Sequence, residues 1–202
     1  YIIEEYAGRN YNIVYYDQRG AGKTWLRNRD AIPDTEILKQ DLLETVLYIK
    51  KQYRKEKIGI LGHSWGSVLG SMFALEHPEH TLCYIGCGQV INLVENERVG
   101  YEKLKSAVEQ AGSQKDLRSL ERIGEYPFTT FDKEACRKLG QVRRLQRSYH
   151  LASGFDRNVI KMIWRSPVTS MRDILPFFGA MTVNMTVMKE LVSFDLRSLS
   201  LE

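Results

Sequence analysis

The stretch KIGILGHSWGSVLGSMFALEHP, residues 57–78, decides the fold. Its first part, KIGILG, is apolar without alternation, the pattern of a short parallel strand covered on both faces. Its last part, SVLGSMFALEHP, reads as a helix stopped by Pro78. Between them stands Gly62-His63-Ser64-Trp65-Gly66-Ser67, a Gly-x-Ser-x-Gly sequence at the point where a strand gives way to a helix. That placement has a steric logic. A serine lifted clear of the sheet must sit on a very tight turn, often at positive φ, and side chains two residues before and after it would collide. Gly62 and Gly66 avoid the collision. Gly66 and Gly70, with Ser67 and Ser71, give the helix a small-residue face that can approach the sheet closely. The N-terminus of the helix turns its partial positive charge toward Ser64, where an oxyanion would develop. The pattern predicts Ser64 as a nucleophile and the backbone N–H of Trp65 as an oxyanion donor.

Outward from this turn, the pattern is repeated. Upstream, Asp34 or Thr35 can cap a helix, and Leu38, Leu42, Thr45, Val46, Ile49 and Tyr53 keep a stripe of period 3.6. Before that helix, YNIVYYD (residues 11–17) is β-rich and predicts a strand, and residues 1–8 read as the tail of a helix ending at Gly8. Downstream, TLCYIGCG (residues 81–88) predicts a third strand. Strand, helix, strand, helix, strand is the rhythm of a parallel α/β sheet. From Gln89 it stops. The segments ENERVGYEKLKSAVEQAG, SQKDLRSLERIG, DKEACRKLGQVRRLQRSYHL and SMRDILPFFGAMTVNMTVMKELV all read as helix, punctuated by Gly112, Gly124 and Gly154. The expected organisation is a partial α/β core over residues 1–88, a helical cap over 89–195, and the start of a return to the core over 196–202.

A second stretch competes for attention. YYDQRGAGKT, residues 15–24, ends like a phosphate-binding P-loop. That motif needs a glycine five residues before Gly22, so that backbone N–H groups can curl around phosphate, and a helix directly after it. Asp17 stands in the glycine's place, where its carboxylate would repel a phosphate. The following WLRNRDAIPDT lacks helical periodicity, so no nucleotide site is expected.

Composition narrows the field further. The 202 residues carry 29 Lys+Arg against 25 Asp+Glu, a net charge of only +4. The densest basic run, RKLGQVRRLQR, interleaves Leu139, Val142 and Leu145 at helical spacing, the mark of a solvated helix face and not of nucleic-acid binding. The longest apolar run, residues 174–188, is shorter than a bilayer span and contains Pro176 and Asn184, which argues against a membrane helix. Cys83, Cys87 and Cys136 are an odd number, and buried free thiols in a reducing, cytoplasmic compartment fit them best. No Cys/His spacing suits a metal, and no cofactor is expected.

The pairing of YDQRGAGKT with GHSWGS resembles the proline iminopeptidase branch of the α/β-hydrolases. Its members carry an Asp-Gln-Arg-Gly-x-Gly turn one strand before a Gly-x-Ser-Trp-Gly-Ser elbow. The resemblance covers residues 11–88 with specific motifs and extends beyond them only to the presence of a helical cap. It implies that residues 17–22 shape the floor of an active site. His63 departs from the pattern, since many of these peptidases have glycine there. The resemblance also implies a His-Gly-Gly loop before the first helix, and a catalytic acid and histidine on turns after later strands. None is visible, so the expectation is a chain truncated at both ends, holding three strands, the elbow and the cap. His63, His77, His80 and His150 are poor substitutes for the missing base, and Asp195 comes too early for the acid. The family holds a substrate amine with cap carboxylates, for which Glu95, Glu97 and Glu102 are available, although a solvated helix face is the default for all three. Met181, Met185 and Met188, with Phe177 and Phe178, read as helix core before pocket lining.

The expected activity is that of a serine hydrolase acting through an acyl-enzyme. It would release an N-terminal proline or similar residue from a small peptide, with no nucleic acid or membrane as partner. A carboxylesterase or other amide hydrolase is the alternative within the class, and a non-catalytic relative that keeps the elbow is the alternative outside it. Oligomeric state is not legible.

Overall fold

The fold is described from a computed structural model, which defines Glu5, residues 7–152 and residues 185–199. In chain order the elements are helix α1 (Gly22–Arg27), helix α2 (Thr35–Tyr53), strand β1 (Ile58–His63), helix α3 (Trp65–Glu76), strand β2 (Thr81–Cys87), helix α4 (Leu93–Ala111), helix α5 (Gln114–Ile123), helix α6 (Lys133–Ser148) and helix α7 (Met185–Leu191), followed by a short 3₁₀ turn (Leu196–Ser198).

The strands β1 and β2 pair in parallel through the crossover helix α3, with Ile60 opposite Tyr84 and Leu61 opposite Ile85. One face of the pair is covered. Leu38, Leu42 and Val46 of α2, Leu69 and Phe73 of α3, and Val187 of α7 pack with Ile60 into one cluster. The stripe read from the sequence forms the buried side of α2. Its N-terminus is closed by the Asp34 carboxylate, which accepts from the Ile37 amide at 2.7 Å and satisfies a donor with no intrahelical acceptor. The small-residue face of α3 does approach the sheet: a Cβ on Gly70 would stand 2.9 Å from the Tyr84 ring and 3.3 Å from Ile60.

Two expectations are corrected here. Residues 11–17 form no strand, and among the described residues the sheet has two strands. A β-rich composition supplies propensity, but a strand exists only with a ladder partner, and this segment joins neither β1 nor β2. Nor are Cys83 and Cys87 buried. Both are free and exposed, because they lie with Leu61 and Ile85 on the face of the pair that no described element covers; Cys136 is half-buried and free.

Among the described residues, the second half is a helical unit. Asn92, Ser113 and Asp132 cap α4, α5 and α6, and Gly112 closes α4 at φ 62°. Leu104, Val108, Leu120, Ile123, Val142 and Leu145 form its core. Arg137, Arg144 and Arg147 lie outward, so most of the basic run is the solvated face its spacing predicts. Met185 and Met188 pack against Phe128, Phe131 and Ala135, while Val187, on the same helix, joins the sheet cluster. These two methionines are therefore core, and Met181, Phe177 and Phe178 lie outside the described residues. The two ends of the unit meet. Asn92 and Asp195 form an antiparallel bridge, reinforced by Leu196 N–H donating to the Ile91 carbonyl at 2.8 Å. None of the described helices is long and apolar enough to cross a membrane.

Candidate functional site

The turn between β1 and α3 carries strain at one residue. Ser64 has φ 53° and ψ −119°, a conformation that costs a non-glycine residue about 1–3 kcal/mol and persists only where the surroundings impose it. They do so from both sides. The Ser64 amide donates to the Cys87 carbonyl at 3.0 Å, carrying the parallel ladder one residue past β1. The Ser64 carbonyl is already the first acceptor of α3, bonded by the Ser67 amide at 2.9 Å. Held so, the Ser64 side chain is exposed, and among the described residues its hydroxyl makes no hydrogen bond. The Trp65 amide belongs to the first turn of α3, where amides have no intrahelical acceptor.

The two elbow glycines are not equivalent. A Cβ on Gly62 would stand 2.4 Å from the Gly66 carbonyl oxygen and 2.7 Å from the Ser67 Cα, so no side chain fits there. A Cβ on Gly66 would meet nothing within 4 Å among the described residues. The steric need expected of both falls on Gly62, because the helix start folds back over position 62 and leaves position 66 facing outward.

The glycine-rich loop packs beside the elbow. Trp65 Nε1 donates to Gln18 Oε1 at 3.2 Å, and Arg19 holds Asp41 of α2 with two parallel bonds of 2.8 and 2.7 Å. Contrary to the expectation from periodicity, a short helix does follow the loop, since α1 begins at Gly22. Its first turn is occupied from within: the Asp17 carboxylate accepts from the Lys23 amide at 2.8 Å, and Thr24 Oγ1 donates to the Asp17 carbonyl at 2.7 Å. Gly22, at φ 50°, has no room for a side chain, because its Cβ would lie 2.3 Å from Asp17 Cγ. A carboxylate already fills the place a phosphate would take.

None of the four histidines bonds to Ser64 among the described residues. His63 is exposed on the turn. His77 and His80 lie at the far end of α3, bonded to Glu79 and Lys50 respectively. His150 is exposed beyond α6 at φ 55°. Asp195 is a turn residue. It caps the 3₁₀ turn and pairs with Arg197, whose side chain holds its carboxyl well below the usual carboxylate range.

The three carboxylates of α4 divide. Glu95 and Glu102 grip Arg98 on the solvated face at 2.6 and 2.7 Å, and Arg98 holds the Glu95 carboxyl below its ordinary value. Glu97 departs from the expected solvated face. It is 3% exposed, paired with Arg143, and accepts from the Tyr126 hydroxyl. Burial, with the Glu97 charge beside it, pushes the Tyr126 phenol well above its ordinary range. An arginine 46 residues further along the chain gave no local signal of this pairing, since Glu97 and Arg143 meet only once α4 and α6 pack.

Residues 1–118, which hold both glycine turns and reach into α5, match the family described as "Serine aminopeptidase, S33". This chain belongs to that family. S33 membership carries the α/β-hydrolase fold, of which β1, the elbow, α3 and β2 are one crossover unit. Among curated proteins, the chain is 26% identical over 109 residues to a protein named "Probable aminopeptidase YbaC" from Bacillus subtilis (strain 168), covering 53% of this chain and 33% of that one. It is 33% identical over 67 residues to a "Proline iminopeptidase" from Heyndrickxia coagulans, covering 33% of this chain and 22% of that one. The matched stretches thus span a third or less of either relative's length. No solved structure matches the chain at comparable significance.

Proposed function

We propose that this S33-family chain supplies the nucleophile of a serine hydrolase that releases an N-terminal residue, proline or one similar, from small peptides. The observation that carries the reading is the exposed hydroxyl of Ser64 on a backbone at φ 53° and ψ −119°, between a parallel strand and the start of a helix. In this mechanism Ser64 Oγ attacks the carbonyl carbon of the scissile amide while an imidazole takes its proton. The carbonyl oxygen becomes an oxyanion beside the Trp65 N–H. The imidazole returns the proton to the leaving amine as the C–N bond breaks, leaving an ester on Ser64. Water, deprotonated by the same imidazole, then attacks the ester, and the imidazole returns that proton to Ser64 Oγ as the ester C–O bond breaks and the acyl group leaves as the acid. The chemistry uses no metal or cofactor. The positions of His63, His77, His80 and His150 favour a base and an orienting acid from outside these 202 residues.

In the same proposal the helical unit over residues 89–195 is a cap above the site. Its recognition of a substrate amine does not rest on Glu97, whose charge Arg143 already balances, and Glu95 and Glu102 are shared with Arg98. Carboxylate recognition of the amine is therefore weaker here than the resemblance implies. The reading is tested with the complete protein on two substrates, a Pro-initiated dipeptide and a short acyl ester. Release of free proline, lost in Ser64→Ala, supports the aminopeptidase. Ester cleavage alone, equally lost in Ser64→Ala, assigns an esterase on the same elbow. Turnover of neither, or turnover that survives Ser64→Ala, contradicts the proposal.

A further inference from the structure

Ser67 is fully buried, and its hydroxyl is used in both directions. It donates to the Ser64 carbonyl at 2.6 Å and accepts from the Val90 amide at 3.0 Å. A helical serine that bonds back to a carbonyl a turn earlier ordinarily stops there. This one also accepts from a different segment, the connection leading from β2 into the helical unit. That segment is fixed in turn. Gln89 Nε2 donates to the Ser67 carbonyl at 3.3 Å and to the Val90 carbonyl at 2.9 Å, and the next residue, Ile91, accepts from Leu196 where the two ends of the helical unit meet.

The geometry points to Ser67 as a positioning residue that aims the Trp65 amide at the reacting carbonyl and ties that aim to the base of the helical unit; the inference rests on Ser64 acting as the nucleophile. The reason lies in the peptide group. The Ser64 C=O and the Trp65 N–H belong to one planar trans unit and point in opposite directions. A hydroxyl that fixes the carbonyl on the helix side fixes the N–H on the substrate side. The Ser67 amide bonds the same carbonyl at 2.9 Å, so removing the hydroxyl loosens the unit without freeing it. A displaced oxyanion donor acts on the transition state and hardly on ground-state binding.

The test compares Ser67→Ala, Ser67→Thr and Ser67→Cys in the complete protein. In Ser67→Ala, kcat should fall about tenfold with KM within about twofold, and Ser67→Thr, which keeps the hydroxyl, should recover most of the loss. Amide hydrogen exchange should quicken at Val90 in Ser67→Ala and Ser67→Cys, since the amide has lost its acceptor. Ser67→Cys retains near-native volume and serves if the alanine variant does not fold. A fall in melting temperature with kcat unchanged would make Ser67 a packing serine and overturn the positioning role. Unchanged Val90 exchange would overturn the tie to the helical unit. If Ser64→Ala retains turnover, the nucleophile reading fails, and the exchange arm still decides whether the tie exists.

Discussion

Two sharp glycine turns lie side by side in the first third of the chain, and they treat their polar groups in opposite ways. In the loop from Asp17 to Thr24, each side chain that could meet a ligand has an internal partner: Asp17 holds the Lys23 amide, Thr24 holds the Asp17 carbonyl, Gln18 holds Trp65 and Arg19 holds Asp41. Its left-handed positions, at φ 78° and 50°, are glycines. In the elbow the left-handed residue is a serine, and its hydroxyl is exposed and makes no hydrogen bond among the described residues. A strained backbone with a disengaged nucleophilic group is what chemistry requires, whereas a relaxed backbone with satisfied groups is scaffold.

The sharpest attempt to break this contrast is Ser64→Gly. It should abolish hydrolysis, by at least about 1000-fold, and at the same time stabilise the fold by about 1 kcal/mol through relief of the positive φ, read as a higher urea midpoint. A stability loss there would mean that the serine is structural. Next in size is the pair of elbow glycines. Gly62→Ala should cost about 2–3 kcal/mol in chemical denaturation, because the new Cβ meets backbone at 2.4 Å, while Gly66→Ala should stay within about 0.5 kcal/mol of the parent. Equal costs would contradict the asymmetry. In the other turn, Gly22→Ala should cost about 1–2 kcal/mol, as left-handed strain is added and Asp17 is pushed from the Lys23 amide, with catalytic constants of the remaining folded protein little changed.

The smallest effect concerns the base of the helical unit. Asp195 has its carboxyl depressed, chiefly by the Arg197 side chain, so its contribution is present above the unfolded value near 4 and is lost as pH falls below it. The difference in urea midpoint between the parent and Asp195→Asn should therefore be constant from about pH 7 to 5 and shrink below about pH 4. A difference that shrinks above pH 5 would show that another group governs the bridge.

What the sequence made legible followed from local rules. Periodicity located α2 and the helices of the second half, proline and glycine marked their ends, and the strand–turn–helix setting of Gly62 to Ser67 gave the elbow. What it hid depended on partners distant in the chain. Residues 11–17 have the composition of a strand, but composition does not supply a neighbouring ladder. Glu97 looks like any helix-surface carboxylate until Arg143 and Tyr126 arrive. Ser67 showed only as a small residue suited to close packing, while its bond from Val90 joins positions 23 apart. Asp17 was read as hostile to phosphate; its engagement with the start of α1 emerges only from the folded loop.

The most direct measurement is intact-mass and peptide mapping of the complete protein after treatment with a fluorophosphonate. A single adduct on the peptide containing Ser64, absent from Ser64→Ala, is the predicted result. No adduct on the folded protein, or an adduct that persists in Ser64→Ala, would contradict it.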